Sequence, residues 1–290
     1  MAIVVTGASG VLGRMIVDRL IARGVSGDDI LATGRDRHRL SSAGALGART
    51  VIGTYDEPES LDPLLGSGDT LMFISSSEVG KRHQQHQNVV EAAKRAGVGR
   101  IVYTSAPHVD ASTLPMAPEH WDTENMITAS GIPFTILRNN WYTENEASLL
   151  PGVERTNELL TGWNEGRIAS ASRIDYAEGA AAVLTGDGHE NAIYEFSGDT
   201  AWDGIELAQA FTAILGRTIL YHHRTSDEQE VDLLAQQVPP ERIQARIAID
   251  TAIARGDLAD ANPTLSRLIG RPTTPLLEGL KAALEHPAAS

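Results

Sequence analysis

Within its first twenty-four residues the chain runs from a short apolar stretch, AIVVTG, through a loop with glycines at Gly7, Gly10 and Gly13, straight into VLGRMIVDRLIARG. The apolar residues of that last segment recur at three and four, which reads as a helix ending at Gly24. Strand, glycine loop and helix in immediate succession leave few folds open. Gly7 permits a tight turn, Gly10 lets a pyrophosphate approach the backbone, and Gly13 lets the helix pack closely. The start of the helix offers partnerless N–H groups and the positive end of its dipole. Together these predict a glycine loop that holds the phosphates of a dinucleotide.

The same alternation continues. DILATG, ARTVIGT, TLMFISS, GRIVYTS and PFTILRN read as further strands, with helices in HQQHQNVVEAAKRAGV and PEHWDTENMITASG and a short helix in EPESLDPLLG. Strands apolar almost throughout, joined by amphipathic helices, predict a doubly wound parallel sheet of Rossmann type covered on both faces. Ligands are then expected at the carboxyl ends of the strands. Residues 1–150 are expected to form this nucleotide-binding domain, and 151–290 a smaller, mainly helical lobe packed against it. GRIASASRIDYAEGAAAVLT and NAIYEFSGD read as strand, helix and strand, so the segment near 168–200 is expected to return to the core sheet. GIELAQAFTAILG, EVDLLAQQV and IQARIAIDTAIARG read as helices of the lobe, and TILYHHRT as a strand.

Composition narrows the function. Cysteine is absent from the 290 residues, which excludes disulfides, thiolate metal sites and cysteine nucleophiles. A net charge of −14 repels phosphate backbones, so nucleic acid is not an expected partner. No apolar run reaches the roughly 18 residues of a membrane span, and the glycine loop arrives too early for a secretory signal. The expectation is a cytoplasmic protein.

The second strand discriminates between cofactors. Where NAD enzymes carry an acid for the ribose 2′-hydroxyl, ILATGRDRHRL carries Gly34 and then Arg35. A guanidinium forks two donors around a 2′-phosphate that an acid would repel, which predicts NADPH. Asp36 leaves a ribose contact open should the strand run one residue further.

ISSSEVGKRHQQHQNVVEAAKRAGV, YTS, EHWDTE, LRNNWYTEN, IASASRIDYAEGAAAVL and LIGRPTTPL are together similar to NmrA-like atypical short-chain dehydrogenase/reductases. The likeness covers most of the chain and is strongest to the branch of bacterial type 2 NADPH:quinone oxidoreductases, with triphenylmethane reductases near it. That resemblance implies Gly7, Ala8, Ser9, Gly10, Val11 and Leu12 along the pyrophosphate, Arg35 at the 2′-phosphate, Ser75, Ser76 and Ser77 beside the adenosine ribose and phosphates, and Thr104 and Ser105 beneath the nicotinamide. It implies Asn139, Asn140, Trp141, Tyr142, Thr143 and Glu144 around the nicotinamide ribose and substrate cleft, with Arg173 entering from the second lobe. Two departures stand out. GTYDEP places Thr54 before and Asp56 after the position of the adenine-contacting acid of many extended members, and Asn140 stands where a glycine often follows the LRN asparagine.

Ordinary short-chain dehydrogenases carry Tyr-x-x-x-Lys after the fifth strand, whereas this chain has His120 and Glu124 there. Without the lysine the usual proton relay cannot operate. Three readings follow. The acceptor needs little proton assistance, as a quinone or dye does, and takes hydride directly from nicotinamide; or His120 is a general acid with its pKa raised by Glu124; or the protein is a silent nucleotide sensor. His120 and Glu124 otherwise read as a helix-surface pair, without the third ligand a metal would need, and His83/His86 and His222/His223 as solvated faces. No metal or flavin motif is evident. Trp141 and Tyr142 stand out among scarce aromatics as a stacking platform for a flat acceptor or as packing. The resemblance permits a monomer or a homodimer.

Overall fold

The structure is a computed structural model that describes residues 1–285. In chain order the elements are β1 (Ile3–Val5), α1 (Val11–Ala22), β2 (Ile30–Gly34), α2 (Arg37–Ala45), β3 (Arg49–Ile52), β4 (Thr70–Phe73) and α3 (Arg82–Ala96). Next come β5 (Arg100–Ser105), α4 (Ala117–Ala129), β6 (Phe134–Asn139), α5 (Thr143–Ala147), α6 (Leu150–Thr156), β7 (Glu158–Thr161), α7 (Arg173–Thr185) and β8 (Ala192–Phe196). The chain continues through α8 (Gly204–Leu215), β9 (Leu220–His223), α9 (Ser226–Ala235), α10 (Pro240–Arg255), α11 (Thr264–Ile269) and α12 (Leu276–Glu285).

Contacts group these elements into two units. The first comprises Met1–Val109, Pro118–Asn139 and Arg173–Phe196; the second comprises Asp110–Ala117, Asn140–Ser172 and the chain from Ser197 onward. Asp110–Ala117 and residues 140–150 thus group with the second unit, outside the 151–290 expected for the lobe. Residues 173–196 rejoin the first unit because α7 packs on α1 and β8 pairs with β6.

The first unit is the expected doubly wound sheet, seven parallel strands in the order β3-β2-β1-β4-β5-β6-β8. Val4, Leu71, Phe73, Ile101, Tyr103 and Ile136 form one buried cluster with Val89 and Val90 of α3 and Ile127 of α4. The alternate residues Val5, Met72 and Val102 are equally buried, as a helix-covered parallel sheet requires. Each such side chain contributes roughly 1.5–3 kcal/mol on leaving water. Chain direction across the sheet reverses at β1, which has β2 on one side and β4 on the other. That switch point opens a crevice at the carboxyl ends of the strands.

Two local expectations change. EPESLDPLLG forms two 3-10 turns, Pro58–Ser60 and Asp62–Leu64, because Pro63 would fall inside an α-helix begun at Pro58 and remove an amide donor there. GRIASAS forms no strand; Ile168 and Ala171 make only isolated bridges, to Trp202 and Tyr142.

The second unit holds the parallel pair β7 and β9 among helices. Buried Asp250 anchors it, accepting from the Gly162 N–H at 2.9 Å and the Trp163 indole N–H at 3.0 Å, with Arg246 Nε 2.9 Å away.

Candidate active site

At the end of β1, Gly7 adopts a φ of +63°, and the Gly10 N–H donates to the Gly7 carbonyl at 2.9 Å, closing the turn. The Ala8 N–H donates to the Thr33 carbonyl of β2 at 2.9 Å, tying the loop to the sheet. A Cβ at Gly13 would stand 2.5 Å from the Gly7 carbonyl oxygen, so the path of α1 over the loop dictates glycine there. Gly10 is the N-cap of α1, yet no side chain caps the helix and no acid lies in its first turn. The first-turn N–H groups are thus left to solvent or an anionic ligand. Uncapped donors, no repelling carboxylate and backbone held open by glycine are what a pyrophosphate requires.

Arg35 follows the last residue of β2, and its side chain is exposed. Asp36 is the N-cap of α2 and accepts from the His38 and Arg39 N–H groups at 2.8 and 3.1 Å. Those backbone hydrogen bonds, Arg39's first, hold its carboxyl below the usual range. β2 ends at Gly34, and the ribose contact left open for Asp36 gives way to a helix cap.

Ser75, Ser76 and Ser77 leave β4 toward the same crevice. The Ser75 N–H donates to Thr104 Oγ1 at 2.9 Å, joining this loop to the end of β5. Ser76 is held at every polar atom by the first turn of α3. Its N–H donates to His86 Nε2 at 3.0 Å, its hydroxyl donates to Gln85 Oε1, and its carbonyl accepts from Arg82 Nε and Nη2 at 2.9 and 2.8 Å. Arg82 is fixed in turn by Glu119 at 2.6 Å. Sequence reasoning missed these three supports. Their signal is the i, i+3, i+4 spacing of Arg82, Gln85 and His86, which puts them on one helix face. Asp56, at the altered adenine position, accepts from Gln85 Nε2 at 2.9 Å.

His86 is therefore no solvated histidine; it is completely buried. Because Nε2 accepts from Ser76, the proton sits on Nδ1, 2.8 Å from Thr123 Oγ1, and the ring is neutral. Burial, and after it neighbouring positive charge, pushes its pKa down to about 2. His83 and the pair His222 and His223 do lie on solvated faces.

The helix-surface reading of His120 and Glu124 also falls, since both are buried. Burial lowers the His120 pKa to about 3, opposite to what the general-acid reading needs, and Nδ1 lies 2.8 Å from the Tyr103 hydroxyl. Glu124 faces a different cation. Arg138 donates from Nε and Nη2 to its two oxygens at 3.0 and 2.7 Å, and the Ser105 hydroxyl donates to it at 2.5 Å. Ser105, Arg138 and Glu195 are in register across β5, β6 and β8, and Arg138 Nη1 reaches Glu195 at 2.9 Å. Burial opposes the Arg138 charge, and the two carboxylates outweigh it, raising the guanidinium pKa above its ordinary value. Thr104 and Ser105, both buried, end β5 beside this row.

Asn139, buried, ends β6 in the first unit. The next five residues belong to the second unit. Asn140 Nδ2 donates to the Leu258 carbonyl at 3.3 Å, and its Oδ1 accepts from the Trp141 N–H at 2.6 Å. The half-buried Trp141 donates its indole N–H to Glu146 at 2.6 Å. Tyr142 sits at the N-cap position of α5 without a side-chain cap, while Thr143 lies 2.8 Å from the Ser170 hydroxyl and Glu144 occupies the first turn. Arg173 does not come from the second lobe: it is the first residue of α7, in the first unit, because that helix packs on α1.

A family model for NAD(P)H-binding proteins matches residues 7–187. Quinone oxidoreductase 2 of Escherichia coli (strain K12) is 38% identical over 278 residues, 96% of this chain and 97% of that one. A crystal structure of an NADPH-dependent quinone oxidoreductase from Escherichia coli, complexed with NADPH, matches with a TM-score of 0.93 at 37% identity, over 97% of this chain and 99% of that one. The Citrobacter sp. triphenylmethane reductase complexed with NADP(H) gives 0.91 at 33% identity, over 98% of this chain and 100% of that one.

Proposed function

The chain belongs to the NAD(P)H-binding family, and from that membership we propose that it is an NADPH-dependent reductase passing hydride to a quinone or a similarly flat aromatic acceptor. The observation that carries the cofactor is the uncapped, acid-free start of α1 with an exposed guanidinium at the end of the neighbouring β2. In this reading the backbone of Gly7, Ala8, Ser9, Gly10, Val11 and Leu12 holds the pyrophosphate and Arg35 the 2′-phosphate. Ser75, Ser76 and Ser77 run along the adenosine ribose, and Thr104 and Ser105 support the nicotinamide side. Asn139, Asn140, Trp141, Tyr142, Thr143 and Glu144 contribute to the nicotinamide ribose and acceptor sites, as does Arg173.

When bound, the cofactor supplies a hydride from its dihydronicotinamide ring. What the chain supplies for proton transfer decides the acceptor. His120 is buried and neutral, and both oxygens of Glu124 are engaged by Arg138, so these two positions offer no counterpart of the usual tyrosine and lysine relay. An acceptor that delocalises the incoming electron pair suits such a site. A quinone does so, and its anionic product takes its proton from water. The 38% identity to a quinone oxidoreductase supports the same class. Triphenylmethane dyes, also delocalised and electrophilic at a central carbon, form a second reading supported by the 0.91 TM-score to a triphenylmethane reductase.

The test is acceptor-dependent loss of NADPH absorbance with 1,4-benzoquinone, run beside triphenylmethane and azo dyes. The expected result is one NADPH consumed per quinone. Tight NADPH binding with no turnover on any acceptor would replace the reductase with a nucleotide sensor.

A further inference from the structure

β2 and β4 are the two strands that flank β1, so the loops leaving their carboxyl ends stand on either side of the glycine loop. A salt bridge crosses that gap. Arg35, from the β2 loop, donates from Nη1 to Oε1 of Glu78, from the β4 loop. The pair lies across the mouth of the switch-point crevice, where a dinucleotide enters this fold.

The two partners are not equally mobile. The Glu78 N–H donates to Ser76 Oγ at 3.1 Å, and Ser76 is locked to Arg82, Gln85 and His86 of α3. Glu78 Oε2 also has Lys81 Nζ at 3.2 Å and Gln85 Nε2 at 3.4 Å. Arg35 has a long side chain with 57% of its surface exposed. The carboxylate is thus carried on a fixed loop, while the guanidinium is free to swing. Hydrogen bonds from Arg35 and then Lys81 hold the Glu78 carboxyl below the ordinary carboxylate range.

We propose that Glu78 sets how strongly this chain prefers the 2′-phosphorylated cofactor: its carboxylate holds Arg35 in the place of the 2′-phosphate, and NADPH binding exchanges one anion for the other. The inference rests on Arg35 being the 2′-phosphate ligand. A carboxylate and a phosphate present similar oxygens to the guanidinium fork, and their like charges oppose binding both at full strength. NADH has no 2′-phosphate, so it binds without opening the pair.

The experiment measures Kd for NADPH, NADH and adenosine 2′,5′-bisphosphate in the full chain and in Glu78→Gln, Arg35→Ala and the double variant. Glu78→Gln keeps the shape of the side chain and removes its charge. NADPH and the bisphosphate should bind about five- to tenfold more tightly to it, with NADH changed less than twofold, and the gain should vanish in the Arg35→Ala background. An unchanged or weaker NADPH affinity in Glu78→Gln would overturn the proposal. So would a gain of equal size without Arg35, which would mean simple repulsion. If Arg35→Ala alone leaves the NADPH-to-NADH ratio intact, the cofactor reading of Arg35 fails instead.

Discussion

Arg35 and Asp36 are adjacent, opposite in charge and differently employed. Asp36 caps α2 through two backbone N–H groups, while the Arg35 guanidinium reaches across to Glu78. A charge-assisted contact of this type is worth roughly 1.5–3 kcal/mol. Arg35→Ala should therefore weaken NADPH by about ten- to a hundredfold and NADH by less than twofold, read by nicotinamide fluorescence titration. Equal losses would contradict the assignment. The glycines and this arginine were legible in the sequence because each is a local demand of a turn or a charge. The partner of Arg35 was not, since Glu78 lies 43 residues away and only the sheet order brings the two loops together. His120 and Glu124 misled for a related reason. Their i, i+4 spacing suggests a pair, but Glu124 turns to Arg138 on a neighbouring strand.

At the scale of elements, β1, β4, β5 and β6 were legible because they are apolar on both faces. α2 was not: RHRLSSAGA buries only Leu40 and Ala43, too little to show a period. The first turn of α3 matters most for function, since it fixes the Ser76 loop through a neutral His86. Unfolded, His86 and His120 titrate near 6.5; folded, they titrate near 2 and 3. Above pH 6.5 neither ring changes the balance. Below it the unfolded chain binds protons that the folded chain refuses, so each ring removes about 1.4 kcal/mol of stability per pH unit. Glu146, whose pKa burial raises, acts in the opposite sense, favouring the fold as pH falls. With two rings against one carboxyl, the urea midpoint should drop between pH 7 and pH 5, and less steeply in His86→Gln. An identical slope in that variant would show that His86 titrates normally in the fold.

At the scale of the whole molecule, chain order and spatial order part company twice in the sheet, between β3 and β4, where the chain crosses to the other side of β1, and again after β6. The chain leaves the first unit at Asn139, builds β7 and its neighbours, and returns at Arg173 to complete the sheet with β8. The return was readable in IDYAEGAAAVLT and AIYEF, an alanine-rich helix and a strand. The second unit was read less well, because β7 is only four residues, ELLT, and α5 and α6 are short and polar. Among the described residues no helix is long and apolar enough to cross a membrane. The proposed reaction is direct, two-electron reduction of a flat acceptor by NADPH. Its most direct test is rapid mixing of the NADPH-loaded protein with 1,4-benzoquinone, comparing cofactor carrying hydrogen or deuterium at the transferring position. Hydride transfer should give a single oxidation phase that is slower with deuterium and yields hydroquinone without accumulating semiquinone. A semiquinone as the dominant product, or NADPH that stays bound and unoxidised, would contradict it.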